Sequence, residues 1–198
     1  EGNYLWQVDV GSGSDHFGSA ASPRLYENLL IVNASLECGR LIALDKFSGT
    51  VKWMFDNVMR TWSTPSIGKS KDGRTELVMN QSFFVNGIDP LTGKKLWTVD
   101  GIQDYVVPIP VIHEDVVYIS GGKSSRIMAI QLGGSSDATE SHKLWESPLA
   151  ANVPSPIIHD NSLCVVGENR ILQQYDIRSG KQITKARVGG KQRVFAPL

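Results

Sequence analysis

Several things are scarce in this 198-residue chain, and each scarcity excludes a class of protein. Only two cysteines occur, Cys38 and Cys164, far apart in sequence. That is neither a disulfide framework nor a metal pair, and both are read as small buried apolar side chains. Charge of either sign is not in excess: 20 basic residues balance 20 acidic ones, so no global field draws the chain to nucleic acid or to an anionic membrane. No window approaches the ~18 apolar residues of a membrane span. No stretch keeps a helical period, so the chain reads as all-β. No signal peptide is visible, and a sequence that opens in mid-repeat leaves room for an earlier one to have been removed.

Catalytic and metal signatures are equally sparse. The four histidines, His16, His113, His142 and His159, are scattered without a partner at zinc spacing. Gly68-Lys69-Ser70 lacks the upstream glycine of a phosphate loop. No G-x-S-x-G elbow appears. Asn33-Ala34-Ser35 and Asn80-Gln81-Ser82 match glycosylation sequons but lie in or beside expected strands.

What the chain does contain is a period of about 45 residues. ALDKFSGTVKW at Ala43–Trp53 returns as GIDPLTGKKLW at Gly87–Trp97. Weaker copies run from Ala129 to Trp145 and from Gln174 to Thr184, and an LW pair at Leu5–Trp6 is the tail of an earlier one. Trp6, Trp53, Trp97 and Trp145 are spaced by 47, 44 and 48 residues. A fixed period of this length means one supersecondary unit repeated, and it suits a four-stranded propeller blade.

The first full unit shows why. Ser22-Pro23 opens a short strand, where proline loses no ladder donor. LLIVNAS follows as a run suited to burial on both faces. RLIALD is a third strand, a tight turn carries Asp45 and Gly49, and VKWMFD is the outer strand. In the turn, Asp45 can accept from the following N–H groups while Gly49 supplies a positive φ. Asp89 and Gly93 repeat this pair, as do Asp176 and Gly180. The small residue two places before each aspartate (Ala43, Gly87, and Ala129 at the matching place) suggests close backbone approach between units. The tryptophan is expected to fill the gap between neighbours. Units are expected at about 21–56, 63–100, 107–148 and 153–188, with partial units at both ends, the last at Val194–Leu198. The third carries an insert, GGSSDATESH, that reads as a solvent-exposed loop.

The pattern A-x-D-x-x-[ST]-G-x-x-x-W resembles the tryptophan-docking motif of pyrroloquinoline-quinone (PQQ) repeat propellers. The family includes quinoprotein alcohol dehydrogenases and the non-enzymatic lipoprotein of the outer-membrane barrel assembly machinery, and the latter is closer in character. Two copies depart from the motif: Gln131 replaces the third aspartate, and Thr184 the fourth tryptophan. The resemblance implies that four complete blades form part of a seven- or eight-bladed ring, with self-pairing of two half-propellers as the alternative. It also implies an exported setting, periplasmic or extracellular.

In this topology the loops from an outer strand to the next inner strand share one face. They supply the candidate binding residues Asp15, His16, Phe17, Arg60, Trp62, Asp104, Tyr105 and Arg193, with Asn152, Gln192 and Phe195 nearby. The expected role is a non-catalytic scaffold for a protein partner, with no catalytic, cofactor or metal residue. The alternatives are a fragment of a PQQ- and Ca²⁺-dependent dehydrogenase and a channel that binds carbohydrate or another small ligand. For the enzyme, the resemblance would make Trp62 the quinone floor, pair Arg60 with a quinone carboxylate and give Asp15 or Asp104 to the metal. The adjacent-cysteine disulfide of many such enzymes has no counterpart here. For the small ligand, Trp62 and Tyr105 would be stacking platforms. Trp53→Ala and Trp97→Ala are expected to destabilise the fold, whereas Trp62→Ala should hardly change it.

Overall fold

The computed structural model describes residues 3–190 apart from 124 and 150. Four antiparallel meanders follow one another along the chain. The first holds β1 (Arg24–Tyr26), β2 (Leu29–Ala34), β3 (Arg40–Asp45) and β4 (Val51–Phe55). The second holds β5 (Ser66–Lys69), β6 (Thr75–Asn80), β7 (Phe84–Ile88) and β8 (Lys95–Asp100). The third comprises β9 (Val111–His113), β10 (Val116–Gly121), β11 (Arg126–Gln131) and, after a two-residue strand β12 (Ser136–Asp137), β13 (Lys143–Pro148). The fourth comprises β14 (Ile157–His159), β15 (Ser162–Val166), β16 (Ile171–Asp176) and β17 (Gln182–Arg187). Within each sheet, strands pair in chain order, as the short connections require.

The sheets pack face to face. Ile31, Leu41 and Trp53 of the first meet Leu77, Met79 and Ile88 of the second. Val78, Val85 and Val99 meet Val117, Ile119 and Ile130 of the third. Tyr118, Ile127 and Ala129 meet Leu163, Val165 and Tyr175 of the fourth. Burial on both faces explains why the middle strands read as nearly unbroken apolar runs.

The repeated motif forms the joint between sheets. Asp45 Oδ1 accepts from the N–H of Phe47 and Ser48 at 3.1 and 3.0 Å, and Gly49 closes the turn at φ +73°. The indole of the preceding unit lies on that turn. Trp6 Nε1 donates to Lys46 O at 3.1 Å, Trp53 Nε1 to Pro90 O at 3.1 Å, and Trp145 Nε1 to Ile177 O at 3.0 Å. Each acceptor is the residue just after the motif aspartate. A Cβ at Gly49 would come within 2.7 Å of Trp6, one at Gly93 within 2.6 Å of Trp53, and one at Gly180 would overlap Trp145. The motif glycine therefore has two reasons: positive φ, and room for an indole.

The second-to-third joint is built differently, because the third unit has lost the turn on which Trp97 would rest. Trp97 Nε1 donates instead to Glu76 Oε2 at 2.7 Å. Glu76 is fully buried and paired with Arg74, Nη2 to Oε1, at 2.6 Å. The same guanidinium donates to Gly134 O at 2.7 Å, and Gly133 N–H donates to Glu76 at 3.2 Å. Trp97 lies across Gly87, where a Cβ would overlap the ring.

Four expectations are corrected here. The insert is not simply a solvated loop: Gly134 and Ala138 are buried against Trp97. Ser136–Asp137 adds a parallel fifth strand to β8, and Thr139–His142 forms one helical turn, α1. The insert stands in for the missing turn. The small motif residues face the tryptophan of their own sheet, Ala43 opposite Trp53 and Gly87 opposite Trp97, so they make room for an indole rather than for a neighbouring backbone. Cys38 is exposed and Cys164 half-buried, because Cys38 falls in the turn after β2, where its N–H reaches Ala34 O. The partial unit at the start is expected to contribute an outer strand at Leu5–Val10, but residues 5–10 form no strand, although Trp6, Val8 and Val10 pack on Ile42 and Leu44. They have no ladder partner among the described residues. The expected final strand, Val194–Leu198, lies outside the described residues.

Two predictions follow from these joints. Gly93→Ala should destabilise the fold more than Gly73→Ala. Both glycines have positive φ, but only Gly93 lies beneath an indole, so the difference in urea midpoint isolates that contact. Trp53→Ala and Glu76→Ala should each cost about 3–5 kcal/mol, the first by losing a core aromatic and the second by stranding Arg74. An acid effect is expected too. The Ser48 N–H holds the Asp45 carboxyl below its usual value of 3.8, and the Ser179 hydroxyl does the same for Asp176. The stability they supply is fully present above that usual value and is lost as pH falls through the lowered folded values. Thermal midpoints should drop below about pH 4, and Asp45→Asn should flatten the drop.

Candidate functional site

Two of the connecting loops are laid side by side by backbone hydrogen bonds. Thr61 and Val106 form a parallel bridge, and Trp62 N–H donates to Val106 O at 2.8 Å. Thr61 Oγ1 donates to Asn80 O at 2.9 Å, and Ser63 Oγ to Pro108 O at 2.8 Å. The loop after β6 braces the first of them: Met59 N–H donates to Gln81 Oε1 at 2.9 Å, and Ser82 Oγ to Arg60 O at 2.7 Å.

That framework gathers six of the eight candidate residues. Arg60 Nη2 pairs with Asp15 Oδ2 at 2.9 Å, and His16 Nδ1 lies 3.1 Å from Asp15 Oδ1. The Arg60 guanidinium sits 4.8 Å over the Trp62 ring. Phe17 meets Trp62 edge-on at 6.2 Å, Tyr105 does so at 6.3 Å, and the His16 and Phe17 rings are 3.9 Å apart. Trp62 Nε1 donates to Gly18 O at 2.7 Å, which ties the segment 15–18 to the cluster. Phe17 stands 74% exposed above a Trp62 that is only 7% exposed. A buried ring therefore holds an exposed one in the edge-on geometry that aromatic pairs favour.

Asp104 is placed otherwise. Its Oδ1 accepts from Tyr105 N–H at 2.8 Å and its Oδ2 lies 3.5 Å from Lys123 Nζ. Asn152 accepts from Ser125 Oγ at 2.7 Å. Arg193, Gln192 and Phe195 lie outside the described residues. The expectation that Trp62 is dispensable is corrected, since its ring is buried and hydrogen-bonded. The bracing groups, Gln81, Ser82 and Gly18, carried no sequence signal of this role.

These residues do not fit a quinone stacked on Trp62. Arg60 already lies over that ring, Asp15 is engaged by Arg60 and His16, and Asp104 faces Lys123. Among the described residues, no three of His, Cys, Asp or Glu are grouped to hold a metal ion. Nor is Trp62 the open stacking platform that a sugar would need. No helix among the described residues is long and apolar enough to cross a membrane.

Comparison with known proteins adds the wider setting. A family model described as outer membrane protein assembly factor BamB matches residues 1–186. No curated protein matches the sequence significantly. Among solved structures, BamB from Moraxella catarrhalis superposes with a TM-score of 0.64 at 16% identity, covering 89% of this chain and 52% of that one. Quinohemoprotein alcohol dehydrogenase from Comamonas testosteroni gives 0.69 at 14% identity, covering 93% of this chain and 37% of the enzyme. The chain thus spans about half of the first protein's length and less of the second's. The four sheets match part of a larger β-propeller.

Trp62→Ala should destabilise the fold by about 3–5 kcal/mol, whereas Phe17→Ala should change it by less than about 0.5 kcal/mol. Chemical unfolding of the two variants beside the parent checks both. Equal losses would mean that the exposed ring is part of the core.

Proposed function

The chain belongs to the BamB family of PQQ-repeat β-propellers, and on that premise we propose that it is a non-catalytic scaffold. Its loop face, built from residues 15–18, 60–62 and 105, docks a protein partner. The setting that family membership supports is the periplasm or the outer membrane. The indole-on-turn joints serve as the family's tryptophan-docking contacts and keep the loops at a fixed spacing.

One observation carries the reading. Phe17 is an exposed aromatic held by Trp62, whose ring Arg60 also covers, and Arg60 is itself fixed by Asp15. Protein interfaces draw their binding energy from such anchors, aromatic and arginine side chains near the centre of a patch. Anchors already held in place lose little freedom on binding. Every charge in the cluster has its counter-charge, so steering by net field is not required.

A photoreactive amino acid placed at position 17 of the full-length protein, in its own cells, tests this. Phe47 is also strongly exposed but sits on a motif turn, and it serves as the control position. A discrete crosslinked protein is expected from position 17 and not from position 47. Adding Arg60→Ala should lower its yield at least ten-fold. Identical products from both positions, or none from position 17, would rule the loop face out.

A further inference from the structure

We propose that the groove between the first and second sheets binds an extended polar peptide segment, laid along the free edge of β4. The groove encloses about 470 Å³, and its walls include Phe55, Asn57, Gln81, Phe84, Asn86 and Thr98. Asn86 is 5% exposed and Gln81 2% exposed. Gln81 Oε1 is taken by Met59 N–H. Its NH₂ and the side-chain amide of Asn86 line the groove and make no side-chain hydrogen bond among the described residues. Amides that face an open groove offer both a donor and an acceptor to whatever replaces water there. Peptide backbone can meet both.

The chain itself shows what this position in the repeat accepts. At the next boundary, Ser136–Asp137 pairs in parallel with Trp97–Thr98. Ala138 N–H then donates to Thr98 O at 2.8 Å, and Asp100 N–H to Thr139 Oγ1 at 3.1 Å. Counted from the motif tryptophan, Thr98 and Asp100 correspond to Met54 and Asp56, both on the wall of the open groove. No described segment pairs with the outer edge of β4. The corresponding groove between the third and fourth sheets, about 380 Å³, is self-satisfied. There Gln173, in the place of Asn86, donates to Tyr175 Oη, which donates to Pro148 O at 2.6 Å. One boundary is thus filled by an extended Gly/Ser/Thr/Asp-rich segment and another closes its own polar groups. The first boundary does neither. Phe84, 42% exposed, adds an apolar wall for one larger side chain. This is recognition by strand addition, with backbone pairing for affinity and a pocket for selectivity.

The test uses isotope-labelled protein and a synthetic peptide with the insert's own sequence, GGSSDATESH, added to millimolar concentration. Expected are amide shifts at residues 53–57 and in the side-chain signals of Asn86 and Gln81. Met54→Pro removes the N–H that, by its correspondence with Thr98, points away from β3. Asn86→Leu removes the groove-lining amide. Each should weaken binding at least ten-fold while leaving spectral dispersion unchanged. Phe17→Ser should bind the peptide normally, so failure here is separable from failure of the loop-face reading. No shifts, shifts scattered over the surface, or binding untouched by both variants would overturn the proposal. So would a response at Asn86 to an oligosaccharide with none to the peptide.

Discussion

The interaction on which the rest depends is the contact of one tryptophan with the turn of the next sheet. A β-sheet with two apolar faces has no intrinsic stopping point, since any similar sheet could slide over it. The indole removes that freedom. Its N–H has one carbonyl to reach, and its ring fits only where a glycine leaves the turn bare. Apolar packing supplies most of the attraction between sheets, and the indole fixes the register at which it acts. A bulge shifts register after Ala43, Gly87, Ala129 and Gln174, two residues before the motif aspartate or, in the third sheet, before Gln131. In the first and third sheets the strand that follows the bulge carries the ring that rests on the next turn.

Fixed register in turn places the loops. Residues 57–63 and 100–107 touch because the sheets that carry them cannot slip, and the Thr61–Val106 bridge completes the contact. The segment 15–18 is then pinned from the side by the Trp62 N–H and the Arg60 ion pair. The loop face is tied to the core by these contacts, although its outermost residues are exposed. Such a surface suits recognition that needs shape at little entropic cost.

Much of this was legible in the sequence where a local rule had a single solution. The Asp-x-x-[ST]-G turn needs both an acceptor and a positive φ, so Asp45 and Gly49 announce it. Proline before β1 and the double-faced runs announce the strands. The candidate loops were found from topology alone, and six of their residues do meet. Illegible were the features set by a partner distant in sequence. Glu76 replaces a turn that the third unit lacks, and nothing near it says so. GGSSDATESH has the composition of a solvated loop, and only the bare flank of Trp97 recruits it. Trp62 looked free because its partners, Gly18 and Val106, lie in other loops. Cys38 was misread because residue type was weighed over its place in a turn.

The Glu76 arrangement bears on which repeats can be removed or exchanged alone. The first, second and fourth sheets each present a turn that receives the upstream indole. The third presents none, and its insert is shaped to Arg74, Glu76 and Trp97 of the second. Removing or exchanging the third repeat alone would therefore leave Trp97, Glu76 and Arg74 without the insert they pack against. The second and third repeats are coupled as one structural unit.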